Sequence, residues 1–260
     1  MGTATFDFGG QVVLVTGGTK GVGRGIATRL GAAGARVVVC ARSEGKVPLP
    51  ESWGFVAADL RDGEQAWAMV DEIVDRYGRL DVVINNAGGS PPADTTSATP
   101  RFSERIVALN LLAPVFVSQR ANHHMQAQVD GGVIVNIGSI AAQRPAPTVA
   151  AYGAAKAGLA NFTMTAAQEW APKVRVNTIA AGLIRTEQAE LHYGDAASIA
   201  RVEHTIPIGR MATPDDIADG CLYLASSAAA YVTGANLVLH GGGDRPAFLD
   251  ALNEEIPREI

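Results

Sequence analysis

The sequence has little of what marks several protein classes. Its 260 residues include two cysteines, Cys40 and Cys221, which show neither a disulfide framework nor a metal-binding spacing. The five histidines also lack the spacing of metal ligands. The longest apolar runs, such as Val12–Val15, have the length of a strand and are too short to span a bilayer. We therefore expect no metal, no membrane association and a reducing, cytoplasmic location.

Positive charge is also scarce. Lysine and arginine number 21 against 26 aspartates and glutamates, so the net charge is −5. This balance argues against a nucleic-acid-binding surface. Apolar residues make up 47% of the chain, which is enough for a sizeable core. No linker-like stretch divides the sequence, so we expect one large domain.

Short β-branched runs alternate with segments of helical period. The strand-like runs are residues 11–16, 36–40, 55–58, 80–84, 132–138, 174–179 and 237–240. This alternation predicts an α/β fold: a single doubly wound Rossmann-type domain whose seven-stranded, mostly parallel sheet is flanked by helices. We expect this domain over residues 1–243, with a polar, mobile lid of weak period at 183–210 and a charged tail at 244–260.

One connection between strands departs from the alternation. Residues 43–54 contain Pro48 and Pro50 and show no helical period. Proline fixes φ and removes a backbone donor, so a full crossover helix is not expected. We predict an extended or single-turn connection in which Leu49 and Trp53 cover sheet surface that a helix would otherwise hide.

A glycine-rich turn follows the first strand. Gly17, Gly21 and Gly23 lie between a buried strand and a helical segment. The amide groups at a helix N-terminus attract anions, and glycine lets a pyrophosphate approach the backbone closely. The spacing, T-G-x-x-x-G-x-G, differs from the familiar G-x-G-x-x-G, and a plain glycine turn is the alternative. The context of strand and helix favours a dinucleotide site.

The end of the second strand indicates which dinucleotide is bound. An acidic residue there would bind the ribose hydroxyls of NAD, whereas a basic residue would pair with a 2′-phosphate. The sequence has Arg42 at this point, and Lys20 adds a positive charge within the glycine-rich turn. Both could be solvated surface cations. The pattern favours NADP(H) over NAD(H).

Ser139, Tyr152 and Lys156 form a candidate proton-transfer group. Tyr152 and Lys156 are four residues apart in an alanine-rich helical segment, so they share one face of a helix. An ammonium beside a phenol favours the phenolate and lowers its pKa. Ser139 follows the fifth strand, where ligands bind in open α/β sheets. The alternative is a surface pair on an ordinary helix. Asn110 lies inside a long helix predicted over residues 101–128.

Together these motifs resemble the short-chain dehydrogenase/reductase family, including its 3-oxoacyl reductase-like members, over residues 8–243. The matching pieces are Thr16–Gly23, Asp59-Leu60, Asn85–Gly88, Asn110, Ser139, Tyr152 with Lys156, Arg175–Asn177 and Gly209-Arg210. The resemblance implies a nicotinamide-dependent oxidoreductase that interconverts a carbonyl and a secondary alcohol. It also implies a homotetramer, with the helices near 101–128 and 150–170 at one interface.

The resemblance assigns roles to individual residues. Tyr152 would be the acid or base, Lys156 its helper, Ser139 a donor to the substrate oxygen, and Asn110 the holder of a relay water. The implied cofactor-binding set is Gly17, Thr19, Lys20, Gly21, Val22, Gly23, Arg42, Asp59, Leu60, Asn86, Ala87, Gly88, Tyr152, Lys156, Gly182, Ile184 and Thr186.

The sequence departs from the family pattern in one turn and leaves the function and the substrate with alternatives. The family's usual Pro-Gly after the sixth strand is Ala181-Gly182 here, which leaves the start of the lid less fixed. A catalytically silent nucleotide-binding sensor or scaffold is the alternative function, although the Tyr/Lys pair is intact. The lid residues Leu191, His192, Tyr193, Ile199 and Ile206 suit a moderately apolar carbonyl compound. A 3-oxoacyl thioester, a steroid-like ketone and a polyol all fit.

Overall fold

The computed structural model describes residues 4–187 and 189–246, apart from the side chains of Leu191 and His192. The predicted tail beyond residue 246 lies outside the described residues. The strands are β1 Val12–Thr16, β2 Arg36–Ala41, β3 Gly54–Ala57, β4 Val82–Asn85, β5 Gly132–Ile137, β6 Val174–Ala181 and β7 Asn236–Leu239. The helices are α1 Gly21–Ala32, α2 Gly63–Tyr77, α3 Pro100–Val107, α4 Ala113–Ala127, α5 Ala150–Trp170, α6 Ala189–Tyr193, α7 Ala196–His204 and α8 Pro214–Ala225.

The seven strands form one parallel sheet in the order β3-β2-β1-β4-β5-β6-β7. This confirms the predicted doubly wound architecture, and every strand pair is parallel. The order reverses between β1 and β4, because β2 lies on one side of β1 and β4 on the other. A crevice forms at such a reversal, outside the carboxyl ends of the strands.

Two hydrophobic layers cover the faces of the sheet. Alternate residues of β1 point to opposite faces, so Leu14 packs with α2, α4 and α5, whereas Val15 packs with α1 and α8. All five residues of β1 are buried, as expected for a parallel strand covered on both sides. This double covering fixes the carboxyl ends of the central strands.

The connection between β2 and β3 contains no helix, as predicted. Leu49 and Trp53 pack on the layer that includes α1 and so cover the sheet there. Arg24 of α1 holds the segment by donating hydrogen bonds to the carbonyl oxygens of Val47 and Pro48, at 3.2 and 2.8 Å. The proline-rich sequence therefore replaces a helix with an anchored extended chain.

The predicted long helix at 101–128 is helical but is not one regular α-helix. A π-helical turn, Ala108–Leu112, separates α3 from α4 and places Asn110 at its centre. Pro114 has no N–H group, so it cannot donate the usual α-helical bond to the carbonyl of Asn110. The N–H of Ala113 bonds instead to the carbonyl of Ala108, five residues earlier. Such π turns often mark functional sites.

The lid at 183–210 contains two short helices, α6 and α7, which the weak sequence period did not indicate. A small cluster of buried side chains holds them: Ala189, Ile199 and Ile206, together with Met211. Ile199 and Ile206 therefore pack inside the lid, and their predicted role against a substrate is not supported. The side chains of Leu191 and His192 lie outside the described residues.

The described residues show neither a membrane-spanning helix nor a cluster of metal-binding side chains. None of its helices combines the length and hydropathy needed to cross a membrane. Within residues 4–187 and 189–246, no three histidine, cysteine, aspartate or glutamate side chains come together in an arrangement that could hold a metal ion.

Candidate active site

A cavity of about 450 Å³ lies at the carboxyl ends of the central strands. It collects nearly all of the predicted site residues, which come from seven separate parts of the chain. These are Gly17, Lys20, Gly21, Val22, Gly23, Arg42, Asp59, Leu60, Asn86, Ala87, Gly88, Ser139, Tyr152, Lys156, Gly182, Ile184 and Thr186. Two predicted residues do not line it: Thr19, whose carbonyl accepts a 3.4 Å hydrogen bond from Arg24, and the buried Asn110.

The glycine-rich turn packs too closely on its neighbours to admit a side chain. A Cβ atom on Gly23 would lie 2.4 Å from both the Gly17 carbonyl oxygen and Asn86 Nδ2. Gly17 has a φ of 65°, in the left-handed region that glycine adopts most easily. Asn86 Nδ2 also donates to the Thr16 carbonyl at 2.9 Å, which ties the turn to the end of β4. The turn presents its backbone to the cavity, and this suits a phosphate group.

The adenosine end predicted for the cofactor is lined by charged residues. Arg61 forms an ion pair with Asp59, and that hydrogen bond holds the pKa of the Asp59 carboxyl below its usual range. Arg42 is exposed and its charge also lowers the pKa of Asp59, by a smaller amount. Sequence reasoning missed Arg61, although it directly follows the predicted Asp59-Leu60 pair.

Ser139, Tyr152 and Lys156 meet at the deepest part of the cavity. Tyr152 and Lys156 lie one turn apart on α5, and Ser139 follows β5 and forms a hydrogen bond with Tyr152. Lys156 is fully buried in this wall and donates a 2.7 Å hydrogen bond to the Ile137 carbonyl. Its Nζ atom lies 5.7 Å from the centre of the Tyr152 ring.

Burial sets the titration of this pair. It raises the pKa of the Tyr152 phenol, while the hydrogen bond with Ser139 acts in the opposite direction. Burial also lowers the pKa of Lys156 from 10.5 to about 8. The net shift of the Tyr152 pKa is upward, because desolvation of the phenol outweighs the hydrogen bond with Ser139, and the lowering expected from Lys156 stays a prediction. The phenol keeps its proton at neutral pH.

Asn110 holds the loop at Gly88 and Gly89 beside Lys156. Its Oδ1 accepts a hydrogen bond from the Gly89 N–H at 2.8 Å, and its Nδ2 donates to the Gly89 and Ile106 carbonyls at 2.9 Å. A Cβ atom on Gly88 would lie 2.7 Å from Asn110 Oδ1 and 3.3 Å from Lys156 Nζ. Gly88 is thus enclosed between the two predicted catalytic residues.

The loop before α3 is also tied to the start of α5. Thr148 has a φ of 68°, which is rare and strained for a β-branched residue. In this conformation its carbonyl accepts a 2.7 Å hydrogen bond from the Ala93 N–H. The strained backbone therefore holds the 89–98 loop against the helix that carries Tyr152.

The lid begins at a turn that is well bonded despite the absence of proline. The Gly182 N–H donates to the Leu239 carbonyl at 2.9 Å, and the Ala212 N–H donates to the Leu183 carbonyl at 2.9 Å. A Cβ atom on Gly182 would lie 2.8 Å from the His240 Cα, so glycine is needed here. These contacts fix Ile184 and Thr186 beside the cavity.

Sequence reasoning missed a further group of lining residues. They are Cys40, Ala41, Ala58, Arg61, Gly89, Leu109, Ile137, Gly138, Ala181 and Glu187. Most are sequence neighbours of predicted residues at strand ends, so extending each motif by one residue would have found them. Leu109 lies in the π-helical turn and Glu187 in the lid, where the sequence carries no clear period.

Comparison with known proteins agrees with this geometry. A family model described as enoyl-(acyl carrier protein) reductase matches residues 17–243. A Streptomyces violaceoruber protein named for a ketoacyl reductase of granaticin polyketide synthesis is 38% identical, over 89% of this chain and 95% of its own. The 3β-hydroxysteroid dehydrogenase 1 of Eggerthella lenta is 34% identical, over 91% and 94%.

A solved structure extends the agreement to the whole fold. The aldohexose dehydrogenase of Thermoplasma acidophilum, in a ligand-free form, superposes with a TM-score of 0.85 at 28% identity, over 99% of this chain and 100% of its own. The chain belongs to the short-chain dehydrogenase/reductase family. It is thus an oxidoreductase that interconverts a carbonyl and an alcohol with a nicotinamide cofactor.

The cavity of this short-chain dehydrogenase/reductase fits such a cofactor. The glycine-rich turn leaves its backbone open for a pyrophosphate, since Gly17 and Gly23 have no side chains to block it. Arg42 and Asp59 line the part of the cavity nearest β2 and β3, where an adenosine would lie. Tyr152 and Ser139 line the opposite part, beside the ends of β5 and β6.

Proposed function

We propose that the enzyme reduces a ketone, or oxidises the matching secondary alcohol, with NADP(H) in preference to NAD(H). The observation that carries the proposal is the Ser139–Tyr152–Lys156 group, which lines the same cavity as the glycine-rich turn. A phenol that keeps its proton at neutral pH suits a general acid for carbonyl reduction. A sensor without catalysis would not need this group.

Each catalytic residue has a distinct task in this proposal. The bound nicotinamide supplies or accepts the hydride. In reduction, Ser139 donates a hydrogen bond to the substrate oxygen as its negative charge develops, and Tyr152 gives its proton to that oxygen. The Lys156 ammonium then stabilises the phenolate by Coulomb attraction. In oxidation the proton moves in the reverse direction, from the alcohol to Tyr152.

Asn110 is the positioning residue of the proposed proton relay. Its side chain binds both backbone groups of Gly89, so the loop beside Lys156 is held in place. Pro114 cannot donate an α-helical hydrogen bond to the Asn110 carbonyl. That oxygen is therefore suited to bind a water that reprotonates Tyr152 through Lys156.

The preference for NADP(H) rests on the distribution of charge near β2. Asp59 is already paired with Arg61, so its carboxylate is a poor acceptor for ribose hydroxyls. Arg42 and Lys20 are exposed beside the cavity and can bind a 2′-phosphate. We expect Arg42→Asp to lower the ratio of kcat/KM for NADPH over NADH by roughly 10- to 100-fold, since hydrogen bonds to charged groups contribute about 1.5–3 kcal/mol.

The cofactor test uses steady-state kinetics with both nucleotides and one carbonyl substrate. Arg101→Asp makes the same charge change at an exposed position on α3 and serves as the control. An unchanged nucleotide preference in Arg42→Asp would show that Arg42 does not read the 2′-phosphate.

The substrate is to be found by a turnover screen. The relatives are named for a ketoacyl reductase, a steroid dehydrogenase and an aldohexose dehydrogenase. A panel of 3-oxoacyl thioesters, steroid ketones, sugars and enoyl thioesters, each with NADPH and NADH, covers these classes. We expect turnover of a ketone in this panel. If no compound is turned over, the sensor function becomes the better interpretation.

We further propose a cytoplasmic homotetramer in which the helical region 100–127 and α5 form one interface. Leu112 and Met164, which lie in these segments, are exposed large apolar residues. Light scattering after gel filtration measures the mass directly. A monomeric mass would contradict this proposal and leave the catalytic one intact.

A further inference from the structure

Glu187 joins the lid to the glycine-rich turn. Its Oε1 accepts a 3.0 Å hydrogen bond from the backbone N–H of Gly21, a residue 166 positions earlier in the chain. Gly21 is the first residue of α1, and Lys20 at the N-cap provides no side-chain hydrogen bond. The first turn of α1 also lacks an acidic residue. The lid carboxylate therefore supplies the negative charge that a helix N-terminus attracts.

The same N–H belongs to the surface that fits a pyrophosphate. Gly21 lies between Gly17 and Gly23, at the turn where a side chain would block close approach. Both Gly21 and Glu187 line the cavity. A phosphate oxygen and the Glu187 carboxylate are both anions, so they repel each other and cannot share one donor.

We infer that Glu187 is an internal competitor of the cofactor: its carboxylate occupies the pyrophosphate position and leaves when the dinucleotide binds. This inference rests on the nicotinamide-cofactor site described above. Glu187 lies two residues before the start of α6. Its release therefore also detaches the start of the lid from α1. Cofactor binding and the position of the lid are thus coupled through one carboxylate.

The contact is exposed, which makes it simple to test. Exposed charged contacts contribute little to folding stability, so variants at Glu187 should fold normally. Glu187→Ala removes both the charge and the acceptor. Glu187→Gln removes the charge but keeps an oxygen that accepts the Gly21 N–H. Glu190→Gln makes the same charge change at an exposed lid position three residues on and is the matched control.

The experiment measures the Kd of NADPH and NADH for each variant by fluorescence titration, and the Kd of adenosine 2′-monophosphate, which lacks a pyrophosphate, by calorimetry. We expect Glu187→Ala to lower the Kd of the preferred dinucleotide by about 3- to 10-fold, with a smaller decrease in Glu187→Gln. Glu190→Gln should match the wild type. Binding of adenosine 2′-monophosphate should be unchanged in every variant.

Two results would overturn the inference. The first leaves the proposed function intact, and the second overturns it as well. Equal dinucleotide Kd values in the wild type and both Glu187 variants, or weaker binding in Glu187→Ala, would show that the carboxylate does not compete. If no variant bound either dinucleotide, the pyrophosphate site itself would be disproved, and the proposed function would fail with it.

Discussion

The two walls of the active-site cavity are built differently. The deep wall consists of the glycine-rich turn, the ends of β4 and β5 and the start of α5, and it is backed by fully buried core residues on both sheet faces. The lid wall rests on a cluster of four buried residues and on backbone hydrogen bonds. Ser139, Tyr152 and Lys156 belong to the deep wall, and Glu187 belongs to the lid. We therefore expect the deep wall to be the more rigid of the two.

The relatives illustrate what this difference allows. Their names refer to a ketoacyl compound, a steroid and an aldohexose, although each aligns with most of this chain. Loops on a rigid scaffold commonly carry specificity, so we expect the lid rather than the deep wall to determine which compound this enzyme accepts.

The largest expected difference concerns stability. Ile84 in β4 and Ile206 in the lid are both buried, at 0% and 4% exposure, so the same truncation can be made in each wall. We expect Ile84→Ala to lower the free energy of unfolding by about 2–5 kcal/mol. Ile206→Ala should lower it less, because the lid can open locally while the sheet stays folded. It should instead raise KM for the carbonyl substrate.

Urea unfolding followed by circular dichroism gives both free energies, and steady-state kinetics gives KM. Equal losses of stability in the two variants would show that the lid and the sheet form one cooperative unit. The contrast between the walls would then be wrong.

Two glycines extend the comparison to cofactor binding. Gly23→Ala places a methyl group against Gly17 and Asn86, so we expect a loss of about 1–3 kcal/mol in stability and weaker NADPH binding. Gly209 in the lid has open space around it and a φ of 82°. Gly209→Ala should cost about 1–2 kcal/mol through backbone strain alone. Fluorescence titration should show normal NADPH affinity in Gly209→Ala; a matching loss there would contradict the assignment of the pyrophosphate site to the deep wall.

The pH dependence of reduction reports on the deep wall alone. Lys156 has a pKa of about 8, so its ammonium is charged below that pH and is lost above it. Tyr152 keeps its proton over this range because its pKa is raised. We expect kcat/KM for carbonyl reduction to be constant below pH 8 and to fall by about tenfold per pH unit above it.

A pH profile of the wild type and of Ile206→Ala checks this assignment. The break should lie at the same pH in both, because Lys156 donates to the Ile137 carbonyl in β5 and Ile206 packs in the separate lid cluster. If kcat/KM stayed constant up to about one pH unit above the Lys156 pKa, the Lys156 ammonium would not support proton transfer.

The sequence predicted those features that local chemistry determines. The buried β-branched runs and the glycine-rich turn are present as expected, and Gly78 ends α2 while Thr213 caps α8. Each depends on a short run of neighbouring residues, such as a capping box or a left-handed glycine. The motif residues at strand ends then meet at one edge because parallel strands share a direction.

Other features depend on contacts between distant residues and could not be read from the sequence. The hydrogen bond from Gly21 to Glu187 joins segments far apart in the chain. The titration of Tyr152 is set by burial, which no local pattern reveals. A buried network also links Asn85, Asn136 and Thr163 across two strands and a helix.

The most direct test of the account is Tyr152→Phe, which removes one hydroxyl from the deep wall and keeps the ring. Carbonyl reduction and the Kd of NADPH are measured on the same preparation. We expect kcat to fall by about 10²- to 10⁴-fold, because Tyr152 supplies the proton. The Kd of NADPH should be unchanged, because the glycine-rich turn binds the cofactor. Turnover close to that of the wild type would contradict the assignment of Tyr152 as the proton donor.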